Sequence, residues 1–264
     1  MNPKTRNLLT TTVAAVGIAA ATLAHSSGQI PQNQAVRNVV LVHGAFADGS
    51  GWRGVYDELT GRGYKVSIVQ NPLTSFADDV AATKRVLDRQ NGPTVLVGHS
   101  YGGTVITEAG IDPKVAGLVY VSALAPDVGE STGDQFVHIP APPEFVIETH
   151  KDGFGFVNFE NFKLGFAGDT SDADAAFLRD SQVPINMSIF ATKVSNAAWR
   201  SKPSWAIIAT QDKAINPKLL RQTAKRIGAT IEEVQASHVP FLTQPKAVAD
   251  AIDRAAQGAG KPAR

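Results

Sequence analysis

Ser100, Asp212 and His238, each in a short loop that follows an apolar run, are the residues of this chain that could do nucleophilic chemistry together. Ser100 lies in Gly98-His99-Ser100-Tyr101-Gly102, a G-x-S-x-G pentapeptide. The β-branched and Leu run 94–97 precedes it and a helical stretch over 103–109 follows, the strand–turn–helix context that gives such a pattern meaning. A serine raised on so sharp a turn needs small neighbours, and Gly98, Gly102 and Gly103 supply them. The start of the helix directs unpaired N–H groups and partial positive charge above Ser100, where an oxyanion would be stabilised. A serine hydroxyl is a poor nucleophile at neutral pH. An imidazole within reach takes its proton during attack, and a carboxylate on the other ring nitrogen holds that imidazole in place.

A lone G-x-S-x-G also fits a plain strand–glycine turn–helix unit, so its weight rests on the partners and their order. Asp212 follows the apolar run 205–210, and His238 follows the run 230–234. Loops that follow parallel strands leave the same edge of a sheet, so both belong at the edge that carries Ser100. Ser, then Asp, then His is the chain order of hydrolases built on such a sheet. Asp127, after the run 115–122, competes for the place of the acid; Asp212 is preferred because its loop lies one strand before the His238 loop. His43 and His99 read as structural groups around the elbow, His138 and His150 as surface residues, and Asp48 as a loop cap.

The elements that must position these residues alternate. Strand runs at 38–42, 64–69, 94–97, 115–122, 205–210 and 230–234 are interleaved with helices at 52–60, 75–89, 103–109, 217–227 and 245–256. That alternation predicts an α/β fold with a mostly parallel central sheet and helices on both faces. Ser75 is the N-cap expected for the second helix, with Asp78 and Asp79 in its first turn and Phe76, Val80, Thr83 and Leu87 along one face. The alternation fails over 125–201, which has no clean strand and holds nine of the chain's twelve Phe. This stretch reads as a cap insertion over the carboxyl edge of the sheet, where ligands bind in such folds. Most of its phenylalanines are expected to hold its own helices together and a few to face a ligand. The division is therefore 36–124 and 202–258 for the core and 125–201 for the cap.

Composition narrows the function. In 264 residues the formal charge is +1, with no run of like charges, which excludes a nucleic-acid groove. The absence of Cys excludes disulfides, thiolate metal sites, a lipidated cysteine and a Cys nucleophile. Lys4 and Arg6, the apolar run 8–24 and Ser26-Ser27-Gly28 form the three parts of a secretory signal peptide over 1–26. That run falls short of the ~20 strongly apolar residues a membrane span needs. Export to the periplasm or medium after cleavage is therefore expected, with no stable membrane anchor.

The chain resembles the α/β-hydrolase superfamily, within it the small capped serine esterases of the methylesterase and carboxylesterase type. The matching segments are HGAFADGSGW (43–52), GHSYGG (98–103), SALAPDVGE (122–130), ATQDKAI (209–215) and SHVPFLTQP (237–245). The resemblance implies Ser100 as nucleophile, His238 as general base and Asp212 as the acid, with the backbone N–H groups of Ala45 and Tyr101 as oxyanion hole. Phe46, next to Ala45, is a candidate substrate contact. The implied activity is hydrolysis of small to medium apolar carboxylic esters through an acyl-enzyme, the partners being the ester and water. No metal or organic cofactor is implied, since neither an H-E-x-x-H nor a dinucleotide fingerprint occurs. Haloalkane dehalogenases and epoxide hydrolases carry a carboxylate where this chain has Ser100. Hydroxynitrile lyases carry Thr and Lys where it has Gly44 and Val239. Cofactor-free haloperoxidase or perhydrolase activity, a hydroxynitrile-lyase-like activity that Gly44 and Val239 disfavour, and a small-ligand receptor on the same fold stay open as alternatives.

Overall fold

The computed structural model describes residues 35–259, so the signal-peptide reading of 1–26 lies outside the described residues. Six strands form one parallel sheet: β1 (Asn38–Val42), β2 (Lys65–Val69), β3 (Thr94–His99), β4 (Val115–Val121), β8 (Ser204–Ala209) and β9 (Thr230–Val234), in the order β2-β1-β3-β4-β8-β9. Every residue of β1 and β3 is buried, as near-continuous apolar runs require when helices cover both faces of a parallel sheet. The edge strands differ. Lys65 in β2 and Glu233 in β9 are exposed, and charge on an edge discourages pairing with another chain.

The main helices are α1 (Arg53–Gly61), α2 (Phe76–Asp88), α3 (Gly102–Ala109), α6 (Pro217–Arg226) and α8 (Pro245–Ala259). Ser75 caps α2 as its side chain accepts from the Asp78 N–H at 3.1 Å, and Phe76, Val80, Thr83 and Leu87 are buried along one stripe. No helix among the described residues is long and apolar enough to cross a membrane.

Connectivity creates the site. From β1 the chain steps outward to β2, then crosses back over β1 to β3 and continues through β4, β8 and β9. The direction of winding reverses between β1 and β3, and the loops at their carboxyl ends diverge to leave a crevice. His43 to Phe46 leave β1 there, and Ser100 leaves β3.

The segment between β4 and β8 departs from the expectation that it has no strand. It contains a three-stranded antiparallel sheet of β5 (Ile147–Thr149), β6 (Phe154–Val157) and β7 (Ile185–Asn186), with short helices α4 (Phe162–Phe166) and α5 (Asp172–Asp180). Strands of two to four residues are too short to display a period of two in sequence. In β6 the alternation is present, half-buried Phe154 and Phe156 against buried Gly155 and Val157, but it spans only two repeats. Gly153, at φ +84°, makes the left-handed turn that pairs β5 with β6.

Candidate active site

The turn after β3 holds Ser100 at φ +53°, in the left-handed region that an L residue occupies only under constraint. A Cβ on Gly98 would fall 2.5 Å from the Gly102 carbonyl oxygen, one on Gly102 2.7 Å from that of His43, and one on Gly103 2.2 Å from that of Leu124. The three glycines are therefore demanded by backbone approaching backbone. The turn is tied to β4: the Ser100 N–H donates to Val121 O at 3.2 Å, and Ser100 O accepts from Leu124 N–H at 3.3 Å.

Asp212 and His238 meet directly. The His238 Nδ1–H donates to Asp212 Oδ2 at 2.7 Å, with both side chains almost wholly removed from solvent. The other carboxylate oxygen, Oδ1, accepts the N–H groups of Ala214 and Ile215 at 2.8 Å each, so the carboxylate is satisfied without a cation. A proton committed to Nδ1 leaves Nε2 as the bare, basic nitrogen of His238. Ser100 approaches this pair through its neighbour: His99 Nε2–H donates to His238 O at 2.8 Å, and the two rings lie 4.6 Å apart. The Ser100 hydroxyl itself has no hydrogen-bond partner among the described residues, and Ser100 belongs to the wall of a cavity.

Asp127 stands elsewhere. Its carboxylate makes a two-point pair with Arg200, Oδ1 to Nε at 2.8 Å and Oδ2 to Nη2 at 2.6 Å, which lowers its pKa below the ordinary carboxylate value. His43 and His99 are both buried and held neutral. Burial pushes the His43 imidazole below its ordinary value and the His99 imidazole well below it. His43 Nε2 accepts from the Asn71 N–H at 2.8 Å, which places its proton on Nδ1 toward Gly44 O. Asp48 caps the turn at Gly49–Trp52, accepting from the Ser50 N–H at 2.8 Å.

The cavity measures about 370 Å³, within the range of small-molecule sites. Ala45, Phe46 and Tyr101 line it beside Ser100, and Phe136, Phe145, Phe166 and Phe190 reach it from the insertion. Four of the insertion's nine phenylalanines thus face the cavity, while Phe159 and Phe177 are exposed on its outside. Phe46, at φ +63°, is buried and meets the Phe145 ring edge-on at 6.2 Å. Ala45 and Tyr101 are buried too, and among the described residues no acceptor takes their backbone N–H.

The insertion also holds the His238 loop. Phe166 meets the His238 ring edge-on at 5.0 Å, and Asp169 accepts from Ser237 Oγ and, at 2.7 Å, from Thr243 Oγ1 of α7 (Pro240–Thr243). Behind that loop Trp52 and His99 close on Phe241, each with ring centroids 4.7 Å away. Sequence reasoning missed Asp79. The signal was there, since 79 falls three after Phe76 and four before Thr83, which puts a carboxylate on the apolar stripe of α2.

Comparison with known proteins agrees with the fold. A family model described as the alpha/beta hydrolase family matches residues 39–251. A pyrethroid hydrolase of Sphingobium wenxiniae is 29% identical over 252 residues, which cover 82% of this chain and 86% of that protein. A carbendazim hydrolyzing esterase of a Nocardioides species is 34% identical over 109 residues, 36% of this chain and 45% of that protein. A crystal structure of a pyrethroid hydrolase superposes with a TM-score of 0.73 at 22% identity, covering 84% of this chain and 98% of that one.

Proposed function

The chain belongs to the alpha/beta hydrolase family, and on that premise we propose that it is a carboxylic-ester hydrolase working through a Ser100–His238–Asp212 triad. The observation that carries the reading is the buried His238–Asp212 pair beside an aromatic-lined cavity whose wall includes Ser100. His238 Nε2 takes the Ser100 proton as Oγ adds to the ester carbonyl carbon. Asp212 keeps the imidazole in the required tautomer and stabilises the imidazolium. The carbonyl oxygen becomes an oxyanion held by the N–H groups of Ala45 and Tyr101, each donor of this kind being worth ~10²–10³ in rate. His238 then returns its proton to the leaving alcohol, and a water activated by His238 releases the acid from Ser100. The hydroxyl–imidazole bond that starts the cycle is of the kind that is often long in unliganded enzymes and tightens when substrate binds.

The substrate is a small to medium ester with an apolar body. A cavity of about 370 Å³ walled by Phe46, Phe136, Phe145, Phe166 and Phe190 stabilises apolar surface and offers few partners to a charged group. The relative named an esterase supports ester chemistry. Ser100→Ala assayed on p-nitrophenyl butyrate tests the proposal: turnover should vanish into the background, and turnover at the wild-type rate would end it.

A further inference from the structure

Asp79 is fully buried, and among the described residues no cation lies against it. Among the described residues its carboxylate accepts two hydrogen bonds, from Tyr101 Oη–H at 2.7 Å and from the Leu73 N–H at 2.8 Å. Leu73 stands at φ +58°, and its carbonyl accepts from the Asn186 N–H of β7 at 2.9 Å. The Tyr101 ring meets Phe190 of the insertion edge-on, centroids 6.0 Å apart. One carboxylate therefore joins α2, the β2–α2 loop and the residue after Ser100, and through Leu73 it reaches the insertion. A buried charge without a counter-ion costs stability, and apolar side chains of similar volume usually fill such a position better. Filling space does not account for it.

The elbow does. Ser100 is held in a strained conformation, and the peptide that follows it carries the Tyr101 N–H. Rotation about the N–Cα bond of Tyr101 (φ −55°) turns that N–H relative to its own side chain. A side chain anchored at its far end by Asp79 and flanked by Phe190 resists the rotation. We infer that Asp79 is a positioning residue for the oxyanion hole, fixing through the Tyr101 hydroxyl the direction of the Tyr101 N–H above Ser100.

This inference rests on the hydrolase reading, and its test separates the two. Tyr101→Phe removes the hydroxyl and keeps the ring and backbone; Asp79→Asn keeps shape and removes the charge. Both are assayed at 25 °C on p-nitrophenyl butyrate and with an alkyl trifluoromethyl ketone. The ketone's carbonyl carbon takes Ser100 Oγ, the serine proton passes to His238, and the carbonyl oxygen becomes an oxyanion in the hole. A partly mis-aimed donor should lower kcat about tenfold, leave KM within about twofold and raise the ketone Ki by about the same tenfold. Unchanged kcat and ketone Ki in both variants, with only Tm lowered, would make Asp79 structural and overturn the inference. If Ser100→Ala retains turnover, the hydrolase reading fails first, whatever these variants do.

Discussion

Gly44→Ala is the substitution whose consequence follows most directly from the packing around Ser100. Gly44 does not occupy the left-handed region, so its backbone admits alanine and only space opposes it. An added Cβ would lie 2.8 Å from Ser100 Cβ and 3.0 Å from both Nδ1 and O of His99. Carbon atoms rest at about 3.5–4.0 Å, so the β1 loop and the elbow must part by roughly 1 Å. Nothing nearby can give way cheaply, because Ser100 is pinned to β4 and His99 to the carbonyl of His238. Whichever side moves, the spacing between the Ala45 N–H and the Ser100 hydroxyl changes. A misplacement of about 1 Å costs on the order of 10²-fold in rate, which is about 2.7 kcal/mol of barrier. Overpacking of this kind costs about 1–3 kcal/mol of stability, so the variant should fold. Turnover of p-nitrophenyl butyrate, normalised to sites labelled by a serine-directed phosphonate, gives the first number, and a urea melt gives the second. Gly61→Ala is the control, since a Cβ there meets nothing within 4 Å. A Gly44→Ala enzyme within twofold of wild type in kcat would refute the account of the elbow.

The acid can be tested by a matched pair. Asp212→Asn should lower kcat by about 10³–10⁴-fold, because the amide no longer enforces the tautomer of His238. Asp127→Asn, which only breaks the Arg200 pair, should leave kcat within about twofold, and the reverse result would reassign the acid. Stability should also depend on pH through His43 and His99, both depressed below 6.5 in the folded state by burial. Above that value both states are neutral and the two residues contribute no pH dependence. As pH falls through it, the unfolded chain binds protons that the folded chain refuses, so stability declines until the depressed folded values are reached. The urea midpoint should therefore fall between pH 7 and pH 5, and a flat profile would show that these imidazoles do not resist protonation in the fold.

Much of this was local enough to read along the chain. The apolar runs of β1, β3 and β4 require burial on both faces, the glycines around Ser100 require a tight turn, and alternation of strand with helix requires a parallel sheet. From those alone Ser100, Asp212 and His238 fall at one sheet edge. The tertiary structure decided what depends on neighbours distant in sequence. Asp127 is taken by Arg200, 73 residues away, and Asp212 faces His238, 26 residues away. Asp79 reads as a first-turn carboxylate like Asp78, yet the turn of α2 sends Asp78 to the Ser75 cap and buries Asp79 against Tyr101. The strands of the insertion and the phenylalanines that reach the cavity were equally beyond local reading. Two to four residues carry too little periodicity, and a phenylalanine buries equal area in a core or in a cavity wall. Burial and pairing belong to the folded surroundings of a side chain, and only the assembled fold supplies those.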